Sequence, residues 1–372
     1  MKRCITCLIA CLTLILSMAF HPPAAMAAIN EAAFSLLPED SIAVFISPED
    51  NNQPRIIYAI YGITKDDEAL SLSVRQISTD PRLTIYKEDV ANMDEQAIRL
   101  ENAFTSDQPI VGSYCSVQIE KIPDGNEAWD KWCSPSEGKI VPHGYYMDET
   151  FFFPLDQLEG SDNSLTLRIS YNCITAPGTL YSLPLCLFTL DIADYLNPVT
   201  MPALSRLDTA LLPEDTIAVL SSPPDNDHPA VIYTIHGISK DDETMSVGIR
   251  QISTDPQLLI YEEDVDNVDE QNIRYANEFS ADDPIIGSYC EAVVENDRSS
   301  EDIRGRWFYY QQNSCMRHGY YMDETFLFLL SELGNIDEKI ILNLNYNCIP
   351  IPATLGGHNL CHMTIDIVAY LK

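Results

Sequence analysis

Most of this chain is written twice. Leu36–Asp40 returns as Leu211–Asp215, Arg75–Pro81 as Arg250–Pro256, His143–Thr150 as His318–Thr325, and Tyr171–Ile174 as Tyr346–Ile349. Each pair is 175 positions apart, and about half of the positions aligned between Leu36 and Tyr195 are identical. Solenoid repeats have periods of roughly 20–50 residues, so a period this long is that of a whole domain. The pattern predicts two homologous domains, 28–197 and 204–372. A Pro-containing linker at 198–203 joins them, too short and too apolar to act as a flexible tether.

Within each copy the apolar positions alternate. Leu165, Leu167, Ile169 and Tyr171 face away from Thr166, Arg168, Ser170 and Asn172, and Ile340, Leu342, Leu344 and Tyr346 keep the same parity. A period of two is the mark of a half-buried strand. Ile56–Tyr61 is apolar on both faces, as a central strand requires. Turn-forming clusters at 65–68, 78–81 and 160–163 separate these runs. One helix is expected per copy: Asn92 with Glu95, and Asn267 with Glu270, resemble capping boxes, placing the first helix over 93–102. The expected fold is all-β: a tandem of two homologous antiparallel β-sandwich domains, each with at most one short helix. A small barrel is the alternative, since alternation cannot distinguish closure from two sheets.

Residues 1–27 read as a signal peptide. Lys2 and Arg3 precede an apolar run from Cys4 to Phe20, His21-Pro22-Pro23 ends it, and Ala25-Met26-Ala27 is a small-x-small cleavage site. An uncleaved anchor, or a lipoprotein modified at Cys11, are the alternatives. Cleavage implies an exported, periplasmic or extracellular protein, and no other segment is long and apolar enough to span a bilayer. Cleavage also removes three of the 11 cysteines and leaves 20 basic residues against 56 acidic ones. So acidic a surface excludes a generic nucleic-acid binder and disfavours an anionic membrane face.

Eight cysteines in an oxidising compartment imply a disulfide framework. Cys173 and Cys186 are separated by a segment with Pro177, Gly178 and Pro184, which reads as a loop, and Cys348 and Cys361 repeat the spacing. The expected bridges are Cys173–Cys186, Cys348–Cys361, Cys115–Cys133 and Cys290–Cys315. Loops of this size contribute about 3 kcal/mol each through unfolded-state entropy.

The longest identical run, His143–Thr150 and His318–Thr325, is the candidate ligand-binding segment: His143, Tyr145, Tyr146, Asp148 and Glu149, with His318, Tyr320, Tyr321, Asp323 and Glu324. Aromatic rings beside carboxylates suit a sugar or protein ligand, or acid–base chemistry. The bland alternative is a strand, with Met147-Asp148-Glu149 as a turn or bulge. His358-x-x-Cys361-His362 looks like a metal set, but the first copy carries Leu183 and Leu187 in place of both histidines. Asp264, Asp266, Asp269 and Glu270 lack the glycine and terminal glutamate of an EF-hand loop. No metal and no cofactor are expected, and no nucleophile or phosphate-loop motif is present. The expected role is binding or surface interaction with an unknown protein or glycan and no catalytic site. The alternatives are a polysaccharide- or peptidoglycan-active hydrolase using Asp148 or Glu149, and a structural envelope protein.

Overall fold

The computed structural model describes residues 31–48, 55–78, 83–85, 95–101, 105–106, 110–119, 128–129, 131–132, 139–141, 144–155, 164–176, 179–191, 195, 204, 207–222, 230–253, 258–260, 271, 286–288, 292–294, 303–304, 306–310, 314–316, 319–333, 348–351, 354–356, 363–365 and 370–371. The expected signal peptide, the linker, Cys133, Cys290, Cys361, His143, His318, His358, His362 and the Asp264–Glu270 cluster lie outside these residues.

The fold is all-β with little helix. The first repeat holds β1 (Ala43–Ile46), β2 (Ile57–Lys65), β3 (Ala69–Ser78), β4 (Leu83–Ile85), β5 (Ile110–Ile119) and β6 (Ala128–Trp129). It continues with β7 (Lys131–Trp132), β8 (Lys139–Val141), β9 (Gly144–Pro154), β10 (Ser164–Ala176) and β11 (Thr179–Asp191). The second repeat holds β12 (Ala218–Ser221), β13 (Val231–Lys240), β14 (Thr244–Ser253), β15 (Leu258–Ile260), β16 (Ile286–Ser288) and β17 (Val293–Val294). After these come β18 (Ile303–Arg304), β19 (Arg306–Tyr310), β20 (Ser314–Met316), β21 (Gly319–Leu329), β22 (Cys348–Ile351), β23 (Thr354–Gly356) and β24 (Met363–Ile365).

Among the described residues pairing is antiparallel with two exceptions, β4 with β5 and β15 with β16. Parallel neighbours need a crossover connection. In the first repeat that crossover carries the helix Glu95–Glu101, inside the span that the capping signal marks. A four-residue helix, Glu31–Phe34, precedes β1. The first repeat thus has two short helices where at most one was expected. Among the described residues no helix is long and apolar enough to cross a membrane.

Both main sheets run through both repeats. In the larger, the order is β19-β21-β14-β13-β12-β1-β2-β3-β9-β7, with β20 beside β21 and β8 beside β9. In the smaller it is β24-β11-β10-β5-β4, with β6 beside β5. The repeats join through β1 and β12, where Val44 lies opposite Val219, its own counterpart 175 residues on. They join again through β11 and β24, where Thr189 lies opposite Thr364, also its own counterpart. Each junction is centred on a pseudo-twofold axis, so the duplicated chain has the self-complementary interface of a symmetric dimer.

The surrounding bonds obey the same symmetry. Ile46 N donates to Ile217 O at 2.8 Å, and Ser221 N donates to Ile42 O at 2.8 Å. The Tyr195 hydroxyl donates to Ser221 O at 2.8 Å, while the equivalent Tyr370 donates to Ile46 O at 2.7 Å. The C-terminal tyrosine of each repeat is thus tied to the first strand of the other.

The larger sheet has two unlike faces. On one, Phe45, Tyr58, Ile60, Leu72, Val74, Phe151 and Phe153 are buried, with Tyr233, Phe326 and Phe328 in the second repeat. On the other, Val44, Ile46, Ile57, Ala59 and Ile77 meet Val219, Ile232 and Ile252 in one cluster, covered by Ala33, Phe34, Leu37, Leu204 and Leu207. The segments entering each repeat therefore seal the sheet over the seam.

The cysteine-bearing hairpin departs from expectation. Composition predicts a loop over residues 174–185, but β10 and β11 pair through most of that stretch. Cys173 lies opposite Tyr181, whereas Cys186 lies opposite Ile169. Cys115 lies opposite Ile169 from the other side. A bridge requires Cα atoms within about 7 Å, so a Cys173–Cys186 bond would need β11 to slide by about four residues.

Candidate functional site

Strand β9 is unbroken from Gly144 to Pro154, so Met147-Asp148-Glu149 is neither a turn nor a bulge. Its period of two sorts the candidate residues by face. Tyr146, Asp148 and Thr150 are half-buried, while Met147, Glu149, Phe151 and Phe153 are buried. The second copy repeats this, with Tyr321 and Asp323 on the partly open side and Glu324 inside. Asp148 and Glu149, grouped as one set by sequence, therefore face opposite ways. Tyr145 and Tyr320 sit on the strand backbone opposite Ser78 and Ser253.

The register brings the two identical blocks of each repeat together. Arg75 lies opposite Asp148, and Arg250 opposite Asp323. Arg75 Nε donates to Asp148 Oδ1 at 2.5 Å and Nη2 donates to Oδ2 at 2.7 Å, a bidentate pair. The same guanidinium donates from Nη1 to Leu36 O at 2.7 Å and lies 4.5 Å from the centre of the Tyr146 ring. Arg250 binds Asp323 through Nε and Nη2, donates to Leu211 O at 2.7 Å, and lies 4.6 Å from the Tyr321 ring. A planar fork can do all of this at once, and an ammonium cannot.

Leu36 and Leu211 belong to the segments that cover the seam, and Tyr146 and Tyr321 pack against the same cluster. Each arginine thus latches a covering segment to the sheet. On the opposite face Gln76 Nε2 donates to Glu149 Oε2 at 2.7 Å, and Gln251 to Glu324 at 2.7 Å. Glu149 is 3% exposed and Glu324 2%, which removes both from any ligand that touches Tyr146 or Tyr321.

The repeats differ beside the latch. In the first, Tyr61 lies opposite Ser73, close to Asp148 and Arg75. Burial, then the charge and hydrogen bond of Asp148, push the Tyr61 pKa well above the ordinary phenol value. Ser73 Oγ also lies 2.9 Å from Thr150 Oγ1. In the second repeat the pair is His236 opposite Gly248. A Cβ on Gly248 would meet His236 Cε1 at 2.7 Å, so the imidazole occupies the place of the serine side chain.

The arginines, Gln76, Gln251, Tyr61 and His236 were not singled out from sequence, although Arg75–Gln76 and Arg250–Gln251 open a run identical in both copies. Among the described residues no group of three His, Cys, Asp or Glu side chains is placed to hold a metal.

The two latches sit on one lateral row: Asp148, Arg75, Ala59, Val44, Val219, Thr234, Arg250, Asp323. Five strand spacings separate Arg75 from Arg250, about 24 Å at roughly 4.8 Å each.

No protein-family model matches the chain, and no curated protein matches it. Among solved structures it is similar to the crystal structure of a conserved domain protein from Bacillus anthracis, at 9% identity over 88% of this chain and 89% of that one. The TM-score of that superposition is 0.18, too low to carry an argument about fold or function.

Proposed function

We propose that the chain is an exported, acidic, non-catalytic binding protein that offers two matched faces to a protein or glycan partner. The observation that carries this reading is the repetition of one half-exposed arrangement, Tyr146 over Arg75–Asp148 and Tyr321 over Arg250–Asp323, on a single sheet face. A tyrosine backed by an arginine and a carboxylate presents a rigid apolar plate with a polar edge. The plates stand on β9 and β21, seven strand spacings or about 34 Å apart at roughly 4.8 Å each, so an extended repetitive ligand can engage both, and the second contact is intramolecular. A structural envelope role is the second reading. It is favoured by the same arginines, whose donors are spent on Asp148, Leu36, Asp323 and Leu211 inside the molecule.

The test is a screen of the full mature chain against a glycan panel, peptidoglycan fragments and immobilised surface proteins. A captured ligand is expected to be lost when Tyr146 and Tyr321 are both replaced by alanine, and weakened by more than half when one is. Tyr146→Phe with Tyr321→Phe keeps both rings and serves as the folding control. Capture unaffected by the double alanine change would move the site elsewhere.

The proposal includes two domains in sequence, 28–197 and 204–372, a β-sandwich arrangement of the sheets, and disulfides confined to each repeat. Non-reducing peptide mapping is expected to find an N-terminus at or near Ala28, no free thiol, and no bridge between a cysteine below 190 and one above 285. The mapped partner of Cys186 decides whether the β10–β11 register or the Cys173–Cys186 assignment holds.

A further inference from the structure

We infer that His236 makes the second repeat, and not the first, responsive to mild acid. Protonation of its imidazole releases the turn Pro213–Ile217 and the adjoining residues 235–237 of β13. The inference concerns the chain alone and does not depend on a ligand.

His236 lies on β13 opposite Gly248 of β14, where the first repeat has Tyr61 opposite Ser73. The two substitutions are coupled. A serine at 248 would collide with the imidazole, and the glycine opens the notch that the ring fills. The first repeat meets the same position with a phenol that remains neutral throughout the physiological range. Only the second repeat has a group there that titrates near neutral pH.

The ring has little provision for a second proton. His236 Nδ1 is 3.8 Å from Asp215 Oδ1, beyond hydrogen-bond reach, and the side chain is 18% exposed. Among the described residues, none hydrogen-bonds the buried His236 Nε2. The charged groups that face it are Asp215 from the turn before β12, Arg250 from β14 and Asp323 from β21. Burial is the largest influence and lowers its pKa, Asp215 and then Asp323 oppose that shift, and Arg250 adds to it. An imidazolium here would carry an N–H at Nε2 without an acceptor, and a buried donor in that state is costly. The ring relieves this by turning off Gly248 toward Asp215 and water, which no side chain at 248 prevents.

Asp215 sits on a short turn in which the Thr216 hydroxyl donates to Pro213 O at 2.7 Å. Two residues after Asp215, Ile217 O accepts the cross-repeat bond from Ile46 N. Displacement of this turn is therefore felt at the seam.

The sign follows from the depressed pKa. Above pH 6.5, the ordinary histidine value, the ring is neutral folded or unfolded and contributes nothing. Below it the unfolded chain takes the proton first, so stability falls with pH until the folded-state pKa is passed. Each pH unit of depression is about tenfold in the opening equilibrium.

The experiment is hydrogen exchange with mass-spectrometric readout on the full chain at pH 7.5 and pH 5.0, corrected for intrinsic rates. Protection of 213–217 and 235–237 is expected to fall severalfold at the lower pH, while the equivalent 38–42 and 60–62 do not change. His236→Tyr with Gly248→Ser installs the pair of the first repeat and is expected to abolish the difference. His236→Tyr alone is the second variant should the double change not fold. Equal responses in the two repeats, or a fall that survives either variant, would overturn the inference, as would an NMR titration placing the folded His236 pKa at or above 6.5.

Discussion

Residues 28–197 produced without the second repeat are expected to be recovered as a homodimer or as aggregate, never as a folded monomer. Removal of the second repeat takes β12 from β1 and β24 from β11, leaving two open strand edges on one molecule. Open edges are templates for pairing with another chain. It also removes Leu204, Leu207, Val219, Ile232 and Ile252 from the cluster that covers Val44, Ile57 and Ile77. Five buried aliphatic side chains contribute about 1.5–3 kcal/mol each, a sum comparable with the whole stability of a typical domain.

Because both junctions are centred on a residue and its own counterpart, a second copy of the first repeat can take the place of the second. Val44 would then face Val44 and Thr189 would face Thr189. For the same reason, a chain cut by a protease at a site inserted in 198–203 should still elute as one particle under native conditions. Sedimentation or light scattering decides both cases. A stable, monodisperse monomer of 28–197 would show that the shared sheets contribute little.

The strands were legible because a half-buried strand writes its period into the sequence. β10 is found where alternation places it, over Leu165–Tyr171, and β2 is buried on both sides over Ile57–Ile60, as its apolar run implies. The seam was not legible. When two copies carry the same strand, alternation is the same whether β1 ends its own sheet or continues into β12, and only three-dimensional pairing distinguishes these. The segment between Cys173 and Cys186 reads as a loop because Pro177, Gly178 and Pro184 are turn and edge residues by composition, while the pairing absorbs Pro184 opposite Ser170 at a register shift.

The candidate segment was found for a reason that differs from its place in the fold. Within the two identical stretches, Arg75–Ser78 of β3 lies directly opposite Tyr145–Asp148 of β9, so the two blocks are neighbours in space. Sequence spacing grouped Asp148 with Glu149, whereas the pleat sends one to an arginine and the other to a glutamine in the core. Their partners are 73 residues away in each repeat, and no local pattern connects them.

Arg75→Ala combined with Arg250→Ala is expected to lower the melting temperature by about 5–10 °C, and the arginine-to-lysine pair to recover little of it. Each arginine makes a two-bond ion pair whose side chains are about one-fifth exposed. Surface pairs contribute under about 1 kcal/mol, and removing one partner of a fully buried pair costs about 3–5 kcal/mol. This case lies between, at about 2 kcal/mol. The bond to Leu36 or Leu211 adds about 1 kcal/mol, and the ring contact a further 0.5–1 kcal/mol or so.

A loss of roughly 3.5–4 kcal/mol per repeat corresponds to several degrees in a chain of this length. The acidic composition sharpens the effect. With 56 acidic residues against 22 basic ones, a carboxylate that loses its arginine is left in a field of like charge. Lysine restores the charge but not the fork, so it cannot hold Asp148 and Leu36 O together. An unchanged melting curve for the double alanine variant would mean that the covering segments hold without the latch. In that event the arginines and their tyrosines would be available to a partner, and the ligand screen would become the deciding measurement.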